Sequence, residues 1–310
     1  MSINWQQLVR AVILFLFFLY IYQLHLTGDL LKLVNPKYET LSMIGAMLFL
    51  LLFFSQLFRV VSFSKHTAVH HCTDSHHHDH GDQPMNWKKG INYFILVCPL
   101  LTGFIFPLAT LDASIARNKG ATMFLTNQEE TSIPIEESYT DETNPTLSEG
   151  NPGDENEIDP NVYQNKISKA DYDQFKNKLV NLSHIDMNDV LYSSIYQQVM
   201  ENPDLYHGKE ITLTGFVYRE KGFQPNQLVI GRFLITHCVA DASLIGFLTQ
   251  FDEEITVEDD TWMSITGKIT ITDYQGSQMP LIEVVEKEII ETPVQQYVYP
   301  LTIDILGTNG

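Results

Sequence analysis

Three long stretches of the chain carry no Asp, Glu, Lys or Arg: Ala11 to Gly28, Thr40 to Phe58 and Gly90 to Leu111. A helix needs about 20 mainly apolar residues to cross a hydrocarbon core about 30 Å thick. Inside lipid the backbone must bond to itself, which these single stretches do as helices. The pattern therefore predicts three transmembrane helices within residues 1–117. Trp5, Tyr20, Tyr22, Trp87 and Tyr93 fall near the span ends, where amphipathic rings favour the headgroup layer. A cleaved signal peptide is the competing reading of the first stretch, but no A-x-A-like site follows it and another span comes soon after. Pro99 and Pro107 are expected to kink the third helix. Cys98-Pro99 is also the ligand pairing of metal-pumping ATPases; without a second ligand in the span, it reads better as a small thiol in a kinked helix.

The pattern changes after residue 117. Residues 118–165 combine many acids with Pro, Ser, Thr, Asn and Gly, and contain no basic residue between Lys119 and Lys166. Self-repelling charge with little to bury predicts a disordered linker. Residues 166–205 read as helical. Ser168 opens a capping box, Tyr172, Phe175, Leu179 and Leu182 recur at helical spacing, and a second helix over Asp189 to Glu201 is closed by Pro203. From Lys209 the period becomes two. Ile211 to Val217, Phe233 to Val239, Met263 to Ile271 and Leu281 to Val285 read as strands, with Tyr218, Gly222, Gly246, Asp273 and Gly276 marking turns. Short strands with mid-strand glycines predict an OB-like five-stranded β-barrel over 206–300. The expected fold class is thus a membrane α-helical N-terminal region followed by an α+β domain built on a small barrel.

Charge narrows the partners. Nineteen basic against 38 acidic residues give a net charge of −19. No basic surface exists to neutralise phosphates, so nucleic acid is not an expected partner. Three cysteines far apart in sequence supply no disulfide framework. Arg59, Lys65, Lys88 and Lys89 lie between the second and third spans, and Arg10 precedes the first. The positive-inside rule then places the N-terminus and this second loop in the cytoplasm and the C-terminal domain outside a multi-pass protein of the cell membrane.

Seven of the eleven histidines crowd into that loop, over 64–83. His66, His70, His71, Cys72, His76, His77, His78, Asp79 and His80 are candidate metal ligands, because imidazole, thiolate and carboxylate together suit zinc, nickel or copper. A run such as His76 to His80 offers many interchangeable ligand sets, so exchangeable ions are expected rather than one structural ion. Zinc is the first expectation.

In the barrel region the chemically dense stretch is Arg232 with His237-Cys238-Val239-Ala240-Asp241. Adjacent strand residues point to opposite faces, so His237 and Cys238 share a ligand only where a bulge or turn intervenes. The stretch stands as a possible ligand site made of Arg232, His237, Cys238 and Asp241, beside the reading of Cys238 as a structural thiol. No nucleophile–base spacing or cofactor fingerprint marks an enzyme.

Several segments resemble one bacterial membrane-protein family. They are Thr27-Gly28-Asp29 with Asn35-Pro36, and Leu111-Asp112-Ala113-Ser114. Further on come Asn202-Pro203, Gly208-Lys209, Gly215 to Glu220, Arg232-Phe233, Cys238 to Ala242, Asp260-Thr261-Trp262, Gly267, Pro293 and Tyr297 to Pro300. On these residues the chain is similar to the YcgQ family, regarded as permease subunits. His237-Cys238 stands where that family typically has a Cys-Cys pair, which removes vicinal-dithiol chemistry. The resemblance implies a polytopic membrane permease as partner and a metal-linked setting, zinc included. The expected function is a membrane-anchored accessory subunit of a two-component permease, linked to transition-metal transport through the His-rich loop. A cell-surface ligand-binding module on a membrane anchor is the alternative.

Overall fold

A computed structural model describes residues 2–3, 5–62, 87–106, 108–119, 166–274 and 276–304. The chain divides into two compact units, residues 1–34 with 38–109, and residues 35–37 with 110–310. The acidic linker lies outside the described residues apart from 118–119, and the whole His-rich loop lies outside them.

The first unit is helical. α1 spans Trp5–Thr27, α2 Glu39–Val60 and α3 Trp87–Ile105. A two-residue strand β1, Ser2–Ile3, pairs antiparallel with β2, Val61–Ser62. Trp5–Thr27 and Pro36–Val60 are long and apolar enough to cross a membrane. The third apolar helix is shorter than its uncharged window suggested. Its apolar part, Gly90–Ile105, spans about 24 Å at 1.5 Å per residue. Pro99 sits inside α3, where Thr102 Oγ1 donates to the Pro99 carbonyl (2.9 Å). α1 and α2 pack through aromatic pairs, Phe15 on Phe53 (4.9 Å) and Phe17 on Phe49 (5.2 Å). Leu41, Ile44, Leu48 and Leu51 of α2 remain exposed at helical spacing, an apolar stripe that water would not favour.

The second unit is built on a mixed seven-stranded sheet. Ser168 caps α5, Lys169–Asn181, by accepting the Asp171 N–H (3.1 Å), as the capping pattern predicted. The segment expected to be purely helical also holds two strands. β3, Lys166–Ser168, pairs in parallel with the last strand, and β4, His184–Met187, joins the main sheet. α6, Tyr192–Glu201, buries Tyr192, Ile195, Tyr196 and Val199 along one stripe. The helix ends at Glu201, just before Pro203 as expected, and Pro203 also opens the four-residue α7, Pro203–Tyr206, where a missing N–H costs nothing.

Five strands carry the core: β5 Glu210–Tyr218, β6 Gln227–Leu234, β7 Ser243–Gln250, β8 Trp262–Tyr274 and β9 Ser277–Ile289. β5 pairs antiparallel with β8, from Glu210↔Lys268 to Phe216↔Trp262. Its last residues, Phe216 to Tyr218, also pair antiparallel with β6. β6 pairs antiparallel with β7, β7 in parallel with β9, and β9 antiparallel with β8. The pairings thus return to their start, β5–β6–β7–β9–β8–β5. β10, Tyr297–Val298, flanks β6, and β11, Thr302–Asp304, pairs with β3.

Both faces of β6 and β7 are covered. One side packs Leu228, Ile230, Leu234, Ile245 and Phe247 against Ile195 and Val199 of α6. The other packs Val229, Phe233, Ile235, Leu244 and Leu248 against Tyr297, Tyr299 and the two alanines Ala113 and Ala116 of α4, Ala113–Lys119. Burial on both faces produces continuous apolar runs rather than alternation. β6 ends at Leu234 rather than running on through His237, where the chain leads into a 3-10 turn, and Gly246 lies inside β7 rather than at a turn.

Candidate functional site

Where β6 ends, the chain turns through one 3-10 turn, Val239–Asp241. The Asp241 carboxylate gathers its start: the His237 N–H donates to Oδ2 (2.8 Å), the Cys238 N–H to Oδ1 (3.3 Å), and His237 Nδ1 lies 2.9 Å from Oδ2. An acidic side chain reaching back to bare amides is what a helix start requires. Asn35 closes the same turn. Its N–H donates to the His237 carbonyl (2.9 Å), and its Nδ2 donates to the carbonyls of Ile235 (3.1 Å) and Thr236 (3.0 Å). The Asn35 Oδ1 accepts the Lys37 N–H (3.0 Å), so a residue only 5% exposed has its polar groups paired. Asn35-Pro36 and the His237–Asp241 stretch, 200 positions apart, form one hydrogen-bonded neighbourhood.

Of the four candidate residues of the possible ligand site, His237, Cys238 and Asp241 meet here, Cys238 through its backbone. Arg232 does not join them through its guanidinium. It is 1% exposed, pairs with Asp189 Oδ1 just before α6, and donates to the carbonyls of Gln295 and Gln296 just before β10. The rings of Tyr192 and Trp262 each lie 5.7 Å from it. A buried charge persists only when paired and hydrogen-bonded, and this one is both. The Tyr192 hydroxyl beside it is buried with no hydrogen-bond partner among the described residues, and burial pushes its pKa up. His66, His70, His71, Cys72, His76, His77, His78, Asp79 and His80 lie outside the described residues. Among the described residues no group of three or more His, Cys, Asp or Glu is arranged to hold a metal.

A cavity of about 240 Å³ opens on the side of β6 opposite Arg232, lined by Phe216, Phe233, Trp262, Tyr297, Asp112 and Asp260. Thr110, Leu111, Thr292 and Gln296 complete its wall. The stretch before α4 is pinned across its mouth. The Leu111 N–H donates to the Tyr297 hydroxyl (2.8 Å) and the Ala113 N–H to Asp260 Oδ1 (2.6 Å). Asp112 caps α4, its Oδ1 accepting the Ile115 N–H (3.1 Å) and the Ser114 hydroxyl (2.5 Å), and these bonds hold its carboxyl below the usual range. Asp260 has φ +67°, a left-handed conformation that Asp and Asn tolerate. Partial desolvation pushes its carboxyl up, the Asp112 and Asp259 charges add to this, and the Ala113 N–H and Arg117 oppose it. Arg117 itself is committed to Asp259 (2.6 Å).

An acid whose folded pKa is raised subtracts stability above that value, and the penalty disappears as pH falls to the unfolded pKa. Asp260→Asn keeps the acceptor for Ala113 and the left-handed backbone while removing the charge. Its melting temperature should exceed that of the wild type at pH 7. The difference should vanish near pH 4, around the ordinary Asp value. A melting series across that range checks this, and a variant less stable at pH 7 than at pH 4, relative to wild type, refutes it.

Arg232 and the His237–Asp241 stretch stand out in the sequence; the cavity does not. The signal was present in another form. Leu111-Asp112, Phe216, Phe233, Asp260 with Trp262, and Tyr297 all belong to the segments that carry the family resemblance, and the fold brings them to one place.

Two helices apolar enough for a membrane, followed by a folded mixed-sheet domain, define a membrane-associated protein carrying a β-rich domain. A family model described as the DUF1980 N-terminal domain matches residues 9–122, and one described as the DUF1980 C-terminal domain matches residues 162–300. The UPF0703 protein YcgQ of Bacillus subtilis (strain 168) is 28% identical over 94% of this chain and 98% of its own length. A Streptococcus mutans serotype c protein named "Putative two-component membrane permease complex subunit" is 23% identical over 94% of this chain and 99% of its own length. The chain belongs to the DUF1980 family, the family of YcgQ.

Proposed function

We propose that this chain is the membrane-anchored accessory subunit of a two-component permease, serving transition-metal, zinc-like transport through its His-rich loop. The observation that carries the permease reading is the end-to-end similarity to the Streptococcus mutans protein, whose name describes such a subunit. Three helices are few for a transporter built from repeated bundles, which fits reliance on a polytopic partner. In this reading α1, α2 and α3 all span the bilayer. The exposed stripe of α2 meets lipid or the partner's helices. The loop bias of Lys and Arg places the N-terminus and His-rich loop in the cytoplasm and the C-terminal domain outside.

The C-terminal domain is read as an OB-like barrel, supported by the closed order β5–β6–β7–β9–β8 and the parallel β7–β9 pair. The β6–β7 surface by which OB domains take oligonucleotides is occupied here by Ala113, Ala116 and Tyr297, which together with the acidic charge speaks against nucleic acid. We assign the chain no catalytic role.

Affinity purification of the full chain from native membranes should bring down a multi-span permease, and elemental analysis of cells lacking residues 66–82 should show altered zinc, nickel or copper content. Recovery of no polytopic protein removes the permease reading. Unchanged metal content removes the metal role alone. A second reading, a surface ligand-binding module without transport, is favoured by the cavity beside α4.

A further inference from the structure

The lining of that cavity has a definite chemical character. Four of its residues are aromatic, with Phe216 stacked on Phe233 (ring centroids 5.3 Å) and edge-on to Trp262 (6.1 Å). Its two charged residues, Asp112 and Asp260, are both acids, and no Lys, Arg or His is among its described lining residues. Neither acid has a basic partner within ion-pair distance among the described residues. Arg117, the cation that influences Asp260, is bonded to Asp259 instead. Arg232 lies 5.7 Å from the Trp262 ring, but adjacent strand residues project to opposite faces, so it leaves the β6 face that Phe233 presents and pairs with Asp189. The volume, about 240 Å³, falls below the roughly 300–1,000 Å³ of pockets for drug-sized molecules.

An anion would meet two carboxylates here. A neutral apolar molecule would take water from Asp260, whose carboxyl is already partly desolvated, and put no positive charge in its place. A cation gains from both the carboxylates and the electron-rich ring faces. Thr110, Thr292 and Gln296 add hydroxyl and amide groups for a polar substituent on such a ligand. We propose that the cavity beside α4, walled by Phe216, Phe233, Trp262 and Tyr297 and edged by Asp112 and Asp260, binds a small organic cation, an amine or quaternary ammonium group. The site needs only the folded second unit and stands apart from the permease and metal readings.

Trp262 is one of three tryptophans, so Trp5→Phe with Trp87→Phe makes it the sole indole reporter in the full chain. In detergent or nanodiscs, choline and tetramethylammonium should each change Trp262 fluorescence saturably. The neutral isostere of choline, 3,3-dimethylbutan-1-ol, should bind at least about tenfold more weakly. Asp260→Asn should weaken choline about tenfold while leaving the alcohol unchanged. Asp112→Asn should do likewise, since Asn also caps helices. Equal binding of choline and its neutral isostere to the unsubstituted site overturns the proposal without any variant having to fold. So does the absence of a saturable change with both cations, or an Asp260→Asn protein of unaltered melting that binds choline as before. Copurification of a permease bears on none of these readouts, so the two readings fail separately.

Discussion

Arg232→Ala should lower the melting temperature of the second unit by about 8–16 °C, corresponding to a loss of about 4 kcal/mol. The side chain is almost wholly buried yet holds a charge, and three acceptors depend on it: Asp189 Oδ1 and the carbonyls of Gln295 and Gln296. Removing it leaves those carbonyls without a donor at the base of β10, at about 1–3 kcal/mol for each one that stays dry. It also opens a void between Tyr192 and Trp262. Asp189 is the lesser loss, because its side chain is 47% exposed and returns to water. Arg232→Met separates the two contributions. It refills most of the volume without restoring a donor, so it should recover less than half of the loss. Arg232→Lys keeps the charge but lacks the planar fork that reaches three acceptors, and should fall between wild type and Ala. Thermal unfolding of the full chain in detergent, followed at Trp262 with the other two tryptophans replaced, reads all three. A shift under about 3 °C for Arg232→Ala would mean that the guanidinium network is dispensable.

Arg232 also marks the boundary of what sequence could disclose. An arginine in an apolar run, Leu228 to Ile235, stands out as chemistry, and sequence alone cannot distinguish a ligand-binding guanidinium from one that satisfies the chain's own carbonyls. The acceptors are backbone atoms of Gln295 and Gln296, more than sixty residues away and invisible in side-chain identity. Local features were legible: the Ser168 cap, the helical stripe of Ile195 and Val199, and the alternation in β5 and β8. β7 was not, because apolar burial on both faces erases the alternation that betrays a half-buried strand. The joining of Asn35 to the end of β6 and the His237 turn was equally hidden, since its side-chain amide and its own backbone N–H donate to three backbone carbonyls, those of Ile235, Thr236 and His237. The cavity belongs to the same class. Its residues were visible as scattered motifs, but only the return of β10 alongside β6 and the crossing of Leu111 to Ala113 make them neighbours.

Gly246→Ala should cost more than any single loss of a contact, upwards of about 4 kcal/mol, enough to leave the second unit unfolded or trapped in inclusion bodies. Gly246 lies opposite Gly231 in the β6–β7 ladder, and a Cβ there would sit 2.2 Å from the Ile230 carbonyl oxygen and 2.4 Å from the Gly231 Cα. Both are backbone atoms, so no rotamer change relieves the overlap. Nor can β6 withdraw, because its other edge is held by β5, where Gly215 approaches Gly231 just as closely: a Cβ on Gly215 would come within 2.5 Å of the Gly231 oxygen. Three adjacent strands thus meet through glycines at the point where the ring of pairings closes, a spacing that admits no side chain. Gly222→Ala is the matched comparison. Gly222 has φ +108° with open space around it, so the substitution costs backbone strain but no collision, about 1–3 kcal/mol. Resistance of the C-terminal domain to added protease in membranes carrying the full chain distinguishes the two: the Gly222 variant should survive and the Gly246 variant should be degraded. A Gly246→Ala domain that resists protease as the wild type does would show that β6 and β7 can part without loss of the fold. In that case the closed ring would no longer account for how Phe233 and Arg232 are held rigidly on opposite faces of one strand, one toward the cavity and the other toward α6.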